Sequence, residues 1–214
     1  MVGQRLKREL KKEESRNMIE AKDVSLSFGE QELFKDLNFQ IPKGTNVVFG
    51  GPSGRGKSSL LKIIQGYIRP DKGKILVNGR ELNEETIAKI RGDIAWIPQN
   101  INLPVDKGSE LMKLMEVSSR QKIAEEYLVQ LGLKPEFLDK DFREISGGQK
   151  QRIIIAICIA LDKEIILLDE PTSSLDEESI ALLIDTMKSL NEKTIVSASH
   201  NQTWLNSVDQ IIEL

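Results

Sequence analysis

Gly51, Pro52, Ser53, Gly54, Arg55, Gly56, Lys57 and Ser58 run consecutively and fit the pattern G-x-x-x-x-G-K-S/T. An apolar stretch, NVVF, precedes them and another, LLKII, follows. Glycines at such a join let main-chain N–H groups turn inward around an anion, and the helix that follows aims its positive end at the same place. Lys57 is then expected to reach the β- and γ-phosphates of a nucleotide, and the Ser58 hydroxyl to ligate Mg²⁺. Ser53 and Ser59 add hydroxyls within reach of phosphate oxygens. By itself this loop leaves kinases, GTPases and transport ATPases open.

A second chemical group lies far along the chain. In IILLDEP, Asp169 and Glu170 directly follow a wholly apolar run. At the carboxyl end of a strand in an α/β sheet, they share the edge where a phosphate loop presents its ligand. Asp169 suits contact with Mg²⁺ through water, and Glu170 suits a general base for the water that attacks the γ-phosphorus.

A third group, ISGGQKQR, has no use in an enzyme with one phosphate loop. Ser146, Gly147, Gly148 and Gln149 open a strongly apolar helix and so make a second exposed helix N-terminus, suited to an anion that a second chain brings.

Taken in order, these segments resemble the nucleotide-binding subunits of ABC (ATP-binding cassette) transporters, over about residues 18–214. GPSGRGKSS is similar to the family's phosphate loop, Gln99 in WIPQN to its Q-loop glutamine, and ISGGQ to its signature motif. IILLDE is similar to Walker B, Ser174-Leu175-Asp176 to the D-loop, and His200 in SASH to the switch histidine. Phe28 stands where the family commonly has an adenine-stacking aromatic. The resemblance implies ATP and Mg²⁺ as ligands and ATP hydrolysis as the reaction. It also implies a head-to-tail dimer, as a homodimer or with a second ATPase subunit, that clamps two ATP molecules between phosphate loop and signature motif. By the same resemblance Asp169, Ser58 and Gln99 attend the metal, Asp176 joins the nucleotide site, and His200 hydrogen-bonds the γ-phosphate. A transmembrane permease subunit is the implied partner, which puts the chain in the cytoplasm, peripheral on the inner face of the cell membrane. A soluble ABC-type ATPase of an assembly complex is the alternative. Ile145 replaces the family's usual leucine, and Asn201 follows His200 in place of an acidic residue.

The elements that must position these groups alternate. Strand-like segments are expected at 19–28, 32–44 and 46–50, with Phe34, Leu37, Phe39 and Ile41 as core positions. A helix is expected from Lys57 to about Ile68, a hairpin in KILVNGREL closed by Asn-Gly, and a short strand at 94–98. Residues 101–143 change to helical periodicity and read as an insertion. A helix over 147–161, a strand into Asp169, a helix from about Glu177 to Leu190, and strands TIVSAS and QIIEL complete the pattern. Strands separated by helices predict a parallel sheet covered on both faces. With the resemblance, the expected fold is an α/β P-loop NTPase (RecA-like) core. It has a mostly parallel sheet, an N-terminal antiparallel β subdomain, and a helical subdomain at about 100–150 carrying the signature.

Composition agrees with one soluble domain: 214 residues, 39% hydrophobic and 29% charged. The net charge of −3 offers no global field for nucleic acid, and no nucleic-acid partner is expected. Residues 1–17 form a charged extension that includes Arg5, Lys7, Arg8, Lys11, Lys12 and Arg16, expected to be solvated. The longest apolar run, IIIAICIAL, is nine residues, against about 20 for a membrane span. Cys158 lies within it and is expected to fill the core, with Trp96 and Trp204 also as packing residues.

Overall fold

The computed structural model describes residues 17–214; the charged extension, apart from Asn17, lies outside the described residues. Among the described residues, nine strands form two sheets. β1 (Asn17–Phe28), β2 (Gln31–Pro42), β4 (Lys72–Val77) and β5 (Arg80–Glu81) make an antiparallel sheet of order β2-β1-β4-β5. β3 (Asn46–Gly50), β6 (Ile94–Ile97), β7 (Ile165–Asp169), β8 (Thr194–Ala198) and β9 (Gln210–Glu213) make a parallel sheet of order β6-β7-β8-β3-β9.

Alternation along the parallel strands explains why both faces are buried. Val47 and Phe49 of β3, with Ile165 and Leu167 of β7, join one core; Val48, Ile166 and Leu168 join the other. Side chains of period two on strands covered from both sides give the continuous apolar runs of the sequence. The first core is closed by the antiparallel sheet and by α1 (Lys57–Ile64), through Leu60, Leu61, Ile63 and Ile64. The second is closed by α5 (Gly147–Ala160) and α6 (Glu177–Ser189). The helical insertion packs on it, with α3 (Gly108–Leu114) and α4 (Gln121–Gln130). Wholly apolar around much of its circumference, α5 is buried through Ile153–Ala160, and Cys158 is core filling as expected. Among the described residues no helix is long and apolar enough to cross a membrane.

Two local expectations are corrected, and one helix is new. α1 ends at Ile64, not near Ile68, because Gly66 adopts φ +69° and closes a Schellman turn. Its N–H bonds the Ile63 oxygen at 2.8 Å, and the Tyr67 N–H bonds the Lys62 oxygen at 2.9 Å. A short helix absent from the sequence pattern, α2 (Ile87–Gly92), covers the sheet with one buried residue, Ile90, too few to leave a periodic signal. Leu37 is only half-buried, since β1 and β2 shift register around it, while Phe34, Phe39 and Ile41 are core. The Asn78-Gly79 hairpin forms as expected, with positive φ at both residues and Val77 opposite Arg80.

Candidate active site

β3 delivers the phosphate loop and α1 carries it onward. Between them Gly51 takes φ +122°, and a Cβ there would sit 2.8 Å from the Leu214 oxygen, so only glycine fits beside β9. The hairpin of β1 and β2 buttresses the loop from the other side, with Leu33 and Phe34 against Gly56. Phe28 lies near the tip of the same hairpin and is 52% exposed, an aromatic face open to a flat partner. Pro52, Ser53, Gly54 and Arg55 are exposed, while Ser58 and Ser59 are half-buried.

Lys57 is buried at the start of α1, and its ammonium donates to the Gly51 and Pro52 oxygens at 2.8 and 2.9 Å. The next residue turns to the neighbouring strand end: Ser58 Oγ donates to Asp169 Oδ1 at 2.7 Å. Burial holds the Asp169 carboxyl above its ordinary value, and the adjacent Glu170 charge adds to the rise. The Ser58 hydrogen bond, Lys62 and Lys57 oppose it. Two oxygens of hard character, hydroxyl and carboxylate, with an uncompensated charge, fit a Mg²⁺ ion. The glycine-lined turn that admits no Cβ beside Leu214, with a lysine in its curve, fits a polyphosphate.

Glu170 follows in the left-handed region at φ +49°, where a glutamate is seldom found. Its N–H donates to the Ala198 oxygen at 2.8 Å, which ties the turn after β7 to β8. His200 stands two residues beyond β8, with Nδ1 2.9 Å from Glu170 Oε1. A carboxylate oxygen only accepts, so the proton sits on Nδ1 and the rest of the ring, 65% exposed as a side chain, faces outward. The backbone around His200 is fastened. Asn201 N–H donates to Ser199 Oγ at 3.2 Å, and Asn201 Oδ1 caps α7 (Gln202–Leu205) by accepting from Trp204 N–H at 3.0 Å. Asparagine therefore does here what an acidic residue would do as a cap. Trp204 is fully buried and its Nε1 donates to Ser197 Oγ at 2.9 Å, a packing residue as expected. Trp96 packs half-buried against the first core.

The structure thus brings Gly51, Pro52, Lys57, Ser58, Asp169, Glu170 and His200 to one edge of the parallel sheet. Gln99 stands exposed two residues past β6, the strand that pairs with β7. The signature residues are held separately. Ser146 Oγ accepts from Gln149 N–H at 3.2 Å, and Gln149 Oε1 accepts from Ser146 N–H at 3.0 Å, a capping box in which Ser146 and Gly147 are exposed and Gly148 is buried. The neighbours of Gly147 and Gly148 are Ser174 and Leu175 rather than the phosphate loop. Asp176 is exposed and caps α6, its Oδ1 accepting from Ser179 N–H at 2.8 Å; the Ser179 side chain first, and then this N–H, hold the carboxyl below its ordinary value. An Asp directly before the amphipathic segment from Glu177, followed by Glu177 and Glu178 in the first turn, is the sequence signal for that capping role. Gln151 is buried beside the Glu170 oxygen, and no local pattern marks it, because it stands between the charged Lys150 and Arg152 ahead of the apolar run of α5.

A model of the ABC transporter family matches residues 34–173. The arginine transport ATP-binding protein ArgV of Corynebacterium glutamicum is 32% identical to the chain, over 92% of it and 87% of that protein. The glutamine transport ATP-binding protein GlnQ of Bacillus subtilis is 35% identical, over 91% and 86%. Among solved structures, the dimeric bacterial ABC transporter cassette MJ0796 superposes with a TM-score of 0.81 at 30% identity, covering 92% of this chain and 94% of that one. The same cassette in a post-hydrolysis state bound to ADP and Pi gives 0.80.

Proposed function

The chain belongs to the ABC transporter family and is an ATPase of that family, and from this premise we propose that two copies close head to tail around two ATP molecules with Mg²⁺ and drive a transmembrane permease subunit. The observation that carries the reading is the division of the chemistry. Lysine, serine, aspartate, glutamate and histidine meet at one sheet edge, while the exposed tip of α5 keeps company with Ser174 instead. A helix tip that exposes Ser146 and Gly147 and neighbours Ser174 rather than its own chain's phosphate loop suits the triphosphate held by another copy. The dimeric form of the similar cassette supports this pairing.

In the proposed reaction Lys57 trades its two carbonyl partners for β- and γ-phosphate oxygens, and the main chain from Gly51 to Gly56 wraps the same phosphates. Arg55 and the Ser53 and Ser59 hydroxyls supply further donors, and Phe28 stacks on the adenine. Ser58, Asp169 and Gln99 would hold Mg²⁺, which would offset the charge of the phosphates. Glu170 takes a proton from the attacking water as the new P–O bond forms and the bond to the departing ADP oxygen breaks. ADP and phosphate are left. His200, oriented through Glu170, offers its outer edge to the γ-phosphate. Ser146, Gly147, Gly148 and Gln149 complete the partner copy's site, with Asp176 beside them.

Glu170→Gln tests the arrangement. With ATP this variant should keep binding, lose turnover by roughly 10²–10⁴-fold, and shift from monomer to dimer in light scattering. An unchanged mass with saturating ATP would sink the two-copy site. Co-purification of a membrane protein from detergent extracts tests the permease; capture of soluble partners alone would favour an assembly ATPase.

A further inference from the structure

Gln151 is 3% exposed on α5, a helix otherwise buried through isoleucine, alanine and cysteine. A buried amide is costly unless both its ends find partners. Its Nε2 donates to the main-chain oxygen of Glu170 at 3.5 Å, and its Oε1 has no partner. The acceptor opposite fixes which end of the amide faces it, because a carbonyl must meet a donor. The same Glu170 oxygen also accepts from Ser173 N–H at 3.2 Å. One turn earlier on α5, Gly148 approaches Ser174 so closely that a Cβ would lie 2.5 Å from the Ser174 oxygen. The helix that ends in the signature tip therefore touches the segment 170–174 twice, once at each end of that segment. Glu170 itself sits at φ +49°, a conformation that persists in an L-residue only where its surroundings enforce it.

Resting on the reading of Glu170 as general base and of the α5 tip as the other copy's phosphate contact, we propose that Gln151 is a positioning residue for Glu170. It steadies the left-handed turn that aims the carboxylate, and it joins that turn to the signature tip of the same chain. In a head-to-tail pair, the tip and the glutamate of one chain serve different ATP molecules. A signature tip that engages one triphosphate is thereby coupled, through Gln151, to the base acting on the other.

Gln151→Met keeps the length and volume of the side chain while removing both the donor and the partnerless oxygen. The test measures turnover against ATP concentration and the melting temperature, for this change alone and combined with Glu170→Gln. The expected result is kcat lower by about fivefold, on the scale of one modest hydrogen bond. KM for ATP and the melting temperature stay as in the parent, and the Hill coefficient for ATP falls. In the Glu170→Gln background the same change adds no further loss to residual turnover, because the group it positions is already gone. Gln151→Leu is expected to give the same split, and serves if the methionine variant is recovered unfolded. Parental kcat in a folded variant, or an equal loss in both backgrounds, overturns the proposal. Full turnover by Glu170→Gln alone would instead overturn the assignment of the base, so the two failures are distinct.

Discussion

Ser58 Oγ and Asp169 Oδ1 are 2.7 Å apart although 111 residues separate them in the chain. The bond joins the first turn of α1 to the end of β7 and leaves a carboxyl whose burial raises its pKa above the ordinary 3.8. Between 3.8 and that higher folded value the native state holds the proton more firmly than the unfolded chain does. Stability contributed by this group therefore falls as pH rises through the window, and above the window the whole cost of the charge is present.

Asp169→Asn keeps an oxygen that accepts from Ser58 and removes the charge. The variant should resist denaturant better than the parent at pH 7, with the difference closing as pH drops toward 3.8. Urea titrations over that range check it, and Mg²⁺-dependent ATP turnover should be lost. A variant weaker than the parent at pH 7 would contradict the sign.

Lys57→Ala removes two charge-assisted hydrogen bonds to the phosphate loop as well as the proposed phosphate contact. ATP affinity should fall roughly 10- to 100-fold, the scale of one charged hydrogen bond. Isothermal calorimetry against Glu170→Gln, which keeps its lysine, provides the comparison.

Ser146 separates stability from association. Ser146→Ala breaks the capping box of α5 and should cost about 1 kcal/mol, whereas Ser146→Gly should cost only a few tenths. Both remove the hydroxyl offered to the other copy's ATP. In the Glu170→Gln background both should weaken ATP-driven dimerisation alike, read by light scattering, while only the alanine form melts clearly earlier.

Cys158 is buried in α5, and burial pushes its thiol up to about 12. Ellman's reagent at pH 8 should find no thiol in the folded protein and one per chain in guanidinium. Rapid reaction of the native chain would mean that α5 opens.

Much of the active edge was legible because its groups come as contiguous runs after apolar strands. Gly51 to Ser58, Asp169-Glu170 and the Asn78-Gly79 turn each carry their structural reason in adjacent residues. What escaped depends on distant partners or on backbone that side-chain patterns do not encode. The Schellman end at Gly66 stops α1 early although Tyr67 and Ile68 are ordinary helix residues. α2 buries only Ile90, so no periodicity marks it. The capping duty of Asp176 is legible from its place directly ahead of Glu177 and Glu178 at the start of α6. Gln151 gains its meaning only from the Glu170 oxygen across the fold.

In the order β6-β7-β8-β3-β9, the strand that delivers the phosphate loop sits between the two strands that come last in sequence within this sheet. A ribosome releasing this chain from its amino end therefore exposes Val47, Val48 and Phe49 long before Val196 and Ile211 exist to pair with that strand. The nascent nucleotide cradle must wait until β8 and β9 have emerged, and its apolar edge is a natural client for chaperones in the interval.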